Sequence, residues 1–247
     1  GTKLGTVTIA KQTVTTPKIE FTPSGASYDG QEHKPVVKVI DKNGRTIPAE
    51  EYTVDYGSTN WRDARDHEVK VTAKGDGNYV FDETPATFTI LPAGQSPLTI
   101  LGKPTSVKYG DVFVLSTLGG SGNGAVTWET DDTSGSIISL NEQTGKVEVL
   151  KAGGPVTITA RKQAEGGYSE TTATWTFSAE KKPVTAIVTA KNKEYDTKDT
   201  AALVVTWPAN SLLNGDNINL ASVLKGTFDD GNVGTDKTVT ISGTAPA

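Results

Sequence analysis

The 247-residue chain contains no cysteine and no methionine, and only two histidines, His33 and His67. Without thiols there is no disulfide, no thiolate nucleophile and no cysteine-ligated zinc. No apolar run approaches the roughly 20 residues that span a bilayer. The longest, Ala201 to Val205, has the length of a strand. No basic-then-apolar leader opens the chain. A methionine-free chain that begins GTKLG reads as the cut edge of a longer protein. Charge of one sign is also lacking in any block. The 24 basic and 29 acidic residues are interspersed, net −5, and the basic runs stop at Arg161-Lys162 and Lys181-Lys182. A nucleic-acid partner wants a positive stripe and an anionic membrane wants a polybasic face, so neither is expected, nor is membrane insertion of this segment.

Threonine, valine and glycine are abundant. β-Branched side chains suit a pleated surface, and frequent glycines and prolines mark many short strands joined by turns. Apolar and polar residues alternate in EVKVTA (68–73), ATFTI (86–90), VTITA (156–160) and TATWTF (172–177). That period of two puts one face in a core and the other in water. The best helix candidate, 201–215, contains Pro208 and the β-branched run Val204-Val205-Thr206, and so reads as a strand followed by a loop.

Internal repeats organise the chain. VKVTA (69–73) recurs as VTITA (156–160), and ATFTI (86–90) as ATWTF (173–177), each 87 residues on. A glycine-rich turn with a tyrosine, Tyr79 or Tyr168, lies between the members of each pair. A third recurrence joins SGASYDGQEHKPVV (24–37) to NKEYDTKDTAALVV (192–205), 167 residues apart. With linkers LPAGQSP (91–97) and SAEKKPV (178–184), the expected domains are 1–93, 94–180 and 181–247. Each is near the size of a seven-stranded sandwich. The expected fold class is all-β, three tandem immunoglobulin-like β-sandwich domains. Residues 1–14, with strand-like 5–10, read as the last strand of a preceding domain.

The Tyr-Asp repeat has a physical reading. The aromatic ends a strand over the core, the aspartate bonds its own downstream backbone, and Gly30 supplies a positive φ. The later copy has Thr197 where the first has Gly30, so a different turn is expected there.

These residues carry a family resemblance. With Tyr28-Asp29-Gly30, VKVIDKNG (37–44), YTVDY (52–56) and GNY (77–79), the first unit resembles the YDG-type (also called MBG) immunoglobulin-like repeats of bacterial cell-surface proteins. The third, with KEYDTKDTA (193–201) and NVGTDKTVTISG (232–243), resembles a second YDG subtype. The middle unit is similar to group 2 bacterial immunoglobulin-like domains through Val126, Trp128, the TGKVEVLKAG hairpin (144–153) and Ile158-Thr159-Ala160. The resemblance implies β-sandwich spacers or binding modules of secreted or wall-anchored proteins, with no catalytic residues to transfer. Two departures stand out. Gly154-Pro155 interrupts the run into the Ile158 strand, and no Gly-Asn-Tyr hairpin follows TISGTAPA, which leaves a sheet edge open.

Candidate chemistry is sparse. His33 and His67 read as solvated turn residues, outside any metal or triad pattern, and no Gly-x-Ser-x-Gly elbow or phosphate loop accompanies them. ETDDTSGS (129–136) and FDDGNVGTD (228–236) offer oxygens to calcium but lack the spacing of a calcium-binding loop, so no metal is assigned. GGSGNG (119–124) precedes a strand and reads as a loop. Trp128 and Trp175 read as core, and Trp207 is ambiguous. Trp61, in the charged stretch STNWRDARD, is the candidate ligand-binding residue, an exposed ring for a sugar or a partner side chain. Carboxylate pairs are numerous, but narrow sandwiches offer no glycosidase cleft. A Lys–Asn isopeptide crosslink promoted by a buried acid is the covalent alternative.

The sequence therefore points to a non-enzymatic extracellular segment, secreted or wall-attached, without cofactors. It would act as a semi-rigid stalk or adhesion module toward host or neighbouring-cell glycan or protein. The alternative is a carbohydrate-binding accessory module of a secreted glycan-degrading enzyme. Self-association is the remaining expectation, head to tail, by strand addition of residues 5–10 to the open edge of another molecule's third unit.

Overall fold

The computed structural model describes residues 1, 5–57, 60–213 and 215–244. It holds strands and two single 3-10 turns (Ala49–Glu51 and Leu220–Ser222), with no α-helix among the described residues. Residues 1–93 form β1 (Gln12–Thr13), β2 (Lys18–Thr22), β3 (Ala26–Ser27), β4 (Val36–Ile40), β5 (Thr46–Ile47), β6 (Tyr52–Asp55), β7 (Asp66–Ala73), β8 (Tyr79–Val80) and β9 (Thr84–Leu91). One sheet runs β2-β4-β5, the facing one β3-β9-β7-β6, and β1 pairs with β8. Residues 94–180 form β10 (Leu98–Leu101), β11 (Val112–Val114), β12 (Ser116–Gly119), β13 (Val126–Thr130), β14 (Ile138–Leu140), β15 (Lys146–Val149), β16 (Gly153–Lys162) and β17 (Thr171–Ala179). Their sheets are β10-β12, β11-β15-β14 and β13-β16-β17. Residues 181–247 carry β18 (Ile187–Ala190), β19 (Thr200–Ala201), β20 (Leu203–Thr206), β21 (Lys225–Phe228) and β22 (Val239–Ser242), in sheets β18-β20 and β19-β21-β22. The fold is all-β, in small layered sheets. None of these sheets joins strands across 93/94 or 180/181.

Alternation decides which side chains go inside. In β7, Val69 and Val71 are buried and Glu68 is exposed; in β16, Val156, Ile158 and Ala160 are buried. Burying each such aliphatic contributes about 1.5–3 kcal/mol. Val39, Ile47, Phe88 and Ile90 complete the first core. Leu115, Trp128, Ile138 and Val147 belong to the second or line it. The third segment is different: Leu220 is its only buried hydrophobic residue among those described.

Both repeated hairpins form, β7 with β9 and β16 with β17. Their registers differ. Val71 faces Thr84, whereas its counterpart Ile158 faces Trp175. The offset is four residues, an even number, so the apolar face stays inward. Gly154-Pro155 does not interrupt the Ile158 strand as expected: β16 runs through it, and a register shift between Gly153 and Val156 absorbs it as a bulge. Residues 144–153 are likewise not one hairpin. Lys146–Val149 pairs with β11 and β14, and the chain then crosses to β16 in another sheet.

The Tyr-Asp turn forms in both copies. Asp29 Oδ1 accepts the Gln31 N–H at 2.7 Å, with Gly30 at φ 78°. Asp196 Oδ1 accepts the Lys198 N–H at 3.0 Å, with Thr197 at φ 66°. The expectation of a different third turn is corrected: the aspartate bond, reinforced by Lys193 Nζ at 2.8 Å, holds threonine in the left-handed region. That conformation costs a β-branched residue about 1–2 kcal/mol. Thr197→Asn should therefore raise stability by about 0.5–1 kcal/mol, and Gly30→Ala should lower it by about 1 kcal/mol. Urea denaturation of the two variants checks the opposite signs.

Candidate functional site

Trp61 does not present an exposed ring. It is 1% exposed, stacked on His67 (4.6 Å, 22°), edge-on to Tyr56 (5.5 Å) and 6.0 Å from Phe88. Between β6 and β7 the charges follow Trp61, at Arg62, Asp63 and Arg65, and the indole folds back into the first core. The binding assignment of Trp61 is thereby corrected, because a sealed indole has no face to offer a sugar. Ser58 and Thr59 of the same stretch lie outside the described residues.

His67 is corrected with it. It is 2% exposed rather than solvated, with Nε2 against the Asp63 carbonyl at 3.0 Å. Its Nδ1 has no hydrogen-bond partner among the described residues. His33 is half-buried and bonds Asp29 through Nε2 at 2.7 Å. With the Gln31 N–H as the larger cause, this contact lowers the Asp29 pKa. The two imidazoles thus serve packing and a turn.

The acidic loops are closed by the protein's own donors. Asp132 accepts the N–H groups of Ile138 (2.9 Å) and Ile137 (2.7 Å) and the Ser134 hydroxyl (2.8 Å), and these hold its carboxyl at about 2 against an ordinary 3.8. In the second loop the Lys237 ammonium sits on Asp230 and lies 3.5 Å from Asp229, where a bound cation would sit. No group of three or more metal-ligating side chains occurs among the described residues. The buried acid Glu51 takes Asn78 through both carboxylate oxygens, from the backbone N–H and the side-chain amide, each at 2.6 Å. This is a hydrogen-bonded clamp on the β7–β9 hairpin loop.

Side chains converge instead at two joints. At the first, the Ala93 N–H donates to Gly167 (3.0 Å), the Ser169 N–H donates to Ala93 (2.8 Å), and the Tyr28 and Tyr168 rings meet edge-on at 5.3 Å. A Cβ on Gly167, which has φ 87°, would come within 2.4 Å of the Tyr28 ring. Gln95 stitches the linker down, donating to the carbonyls of Ser169 (2.8 Å) and Gln163 (3.1 Å) and accepting the Ser121 N–H (3.0 Å). At the second joint the Tyr109 hydroxyl donates to Asp216 at 2.9 Å, which raises the Tyr109 pKa. Leu213 rests on the Gly110 backbone, where a Cβ would lie 2.4 Å from its Cδ1. The Tyr109 N–H also donates to Glu180 at 2.9 Å, anchoring the second linker. Sequence reading missed these contacts. Tyr28 was read as covering its own core, against which it does pack, and the contact of its ring edge with Tyr168 had no signal in the local pattern.

The third segment leaves a groove of about 750 Å³ at one end, between the stretch after β18 and the β21–β22 loop, lined among others by Lys193, Tyr195, Phe228, Val233 and Lys237. Hairpin β21–β22 follows a 3-10 turn as β6–β7 does, so its loop stands where the Trp61 loop stands in the first segment. That loop has Val233, exposed, and no tryptophan. β22 is an edge strand, whereas its counterpart β7 lies between β6 and β9.

Comparison with known proteins matches the YDG domain profile to residues 180–247. No curated protein matches. Among solved structures the chain is similar to murine CEACAM1b (13% identity, 67% of this chain and 99% of that one, TM-score 0.32). It is also similar to protocadherin gammaB7 EC3-6 (13%, 92% and 76%, TM-score 0.33) and to surface layer protein SbsC domains 1-6 (15%, 95% and 37%, TM-score 0.25).

Trp61→Ala should destabilise the first segment by about 3–5 kcal/mol, read from its urea midpoint. The Asp132 pKa is lower folded than unfolded, so its stabilisation is complete above pH 3.8 and lost as pH falls through about 2. Asp132→Asn should flatten the acid limb of the stability curve in that window, measured by thermal melts against pH.

Proposed function

We propose that this chain is an extracellular stalk or adhesion segment of a larger surface protein, a row of three β-sandwich domains divided near residues 93 and 180, with no catalytic role. The observation that carries the reading is the pair of stitched joints. Each linker is bonded through its backbone to the domain beside it, and each joint adds a side-chain contact, Tyr28 on Tyr168 or Tyr109 on Asp216. Such joints transmit direction from one domain to the next, which is what a projecting spacer needs. In the first segment the eight-residue strands β7 and β9 span about 27 Å. The YDG match at 180–247 and the resemblance of the first segment to surface-protein repeats support the extracellular setting. The carbohydrate-module alternative rested on an exposed Trp61, and that ring is buried.

The absence of native cysteine makes the test clean, since single introduced cysteines label uniquely. Spin labels at the exposed positions Lys42 and Thr144, and at Thr144 and Asn232, should give narrow distance distributions. Tyr28→Ala should broaden the first and Tyr109→Phe the second. Native distributions as broad as those of the variants would reject the spacer reading.

A further inference from the structure

At the second joint three stretches of chain enclose a hollow of about 390 Å³. That is within the size range of ligand pockets, which favour boundaries between domains. Leu150 and Lys151 line it from the loop after β15, Lys181 and Lys182 from the linker after β17, and Leu212 and Ile218 from the loop after β20. Each stretch is held by hydrogen bonds. The N–H groups of Leu150 and Lys151 donate to the Ile137 carbonyl at 2.8 and 3.2 Å. Glu180, next to the lysine pair, donates its N–H to Val107 at 2.8 Å and accepts the Tyr109 N–H at 2.9 Å. In the third stretch the Asp216 N–H donates to the Leu213 carbonyl at 3.0 Å. A wall fixed in advance costs little further ordering when a ligand arrives.

The wall is basic and aliphatic. Three ammonium groups border the hollow, and none of them is ion-paired among the described residues. Asp216, the one carboxylate in the described lining, is already engaged: Oδ1 accepts the Tyr109 hydroxyl at 2.9 Å and Oδ2 the Leu213 N–H at 3.0 Å. Like charges gathered around one concavity draw in an anion. Between the charges, Leu150 is 47% exposed and Leu212 and Ile218 are half-buried. Besides Tyr109, Asn217 is the one hydroxyl or amide side chain in the described lining. A sugar would find few partners for its hydroxyls there, whereas an aliphatic side chain between carboxylates matches both the charge and the apolar wall.

We propose that this hollow at the second joint binds an acidic segment of a partner protein, in which carboxylates flank an aliphatic side chain. The carboxylates pair with Lys151, Lys181 and Lys182, and the aliphatic side chain covers Leu150, Leu212 and Ile218. The inference names a partner class for the adhesion role proposed above and rests on that reading.

The test is a titration of the intact, isotopically labelled chain with a short blocked peptide that alternates aspartate and leucine, read by amide shifts and calorimetry at low salt. Saturable shifts should gather at 150–152, 181–184 and 216–218. Lys151→Gln, Lys181→Gln and Lys182→Gln together should weaken binding about tenfold or more, since ion pairs near the surface contribute up to about fivefold each. Leu150→Ser should weaken it about threefold, as should replacing leucine by serine in the peptide. Melting temperatures like that of the parent chain show that the variants are folded. Polygalacturonate and inorganic phosphate are the comparison anions. No saturable binding of the peptide, an affinity indifferent to the lysine substitutions, or either comparison anion binding at these residues as tightly as the peptide would each overturn the proposal. The spin-label distances judge the spacer reading separately, because they are measured without the peptide.

Discussion

A sandwich of two pleated sheets is stable only when its apolar interior is shut on every side. Faces close by alternation, but edges and ends need separate devices. In the first segment β9 covers the outer side of β7, and Trp61 folds back from a charged loop to stop the end. The third segment has neither device among its described residues, and its interior is correspondingly thin. The same closure requirement accounts for the buried tryptophan and for the groove of the third segment.

Closure also explains why neighbouring segments are joined tightly. β9, the last strand of the first segment, runs directly into the second, so linker and final strand are one piece of backbone. Ala93 lies two residues beyond β9 and is already bonded to Gly167 and Ser169. Orientation then falls to a few side chains. Tyr28 and Tyr168 occupy turns at facing ends, and Gly167 is confined to glycine both by its positive φ and by the ring above it. The polar loops that look suited to ions are satisfied internally: Asp132 by backbone N–H groups, Asp229 and Asp230 by Lys237.

Strand content, the two long hairpins and the Asp29 turn were legible from the residues themselves. Period-two alternation and an aspartate bonding two residues on are local rules, readable within a short window. The Thr197 turn was misjudged because side-chain preference argues against a left-handed threonine, whereas the Asp196 bond to the Lys198 N–H forms there all the same. Trp61 and His67 were misjudged because a charged stretch says nothing of which single side chain turns inward. Hairpin register also escaped: repeats spaced by 87 residues specify which strands pair, while the connecting loops set the offset, and an even offset satisfies the alternation equally well.

The sequence by itself determined the class of the fold, the strands, the repeat order and the absence of thiol chemistry, because each depends on side-chain type and short-range spacing. Tertiary structure alone decided what seals each core, how neighbouring segments meet and which loop side chains turn inward. Those outcomes rest on contacts between residues far apart in the chain, and no local pattern encodes a distance across a closed sandwich.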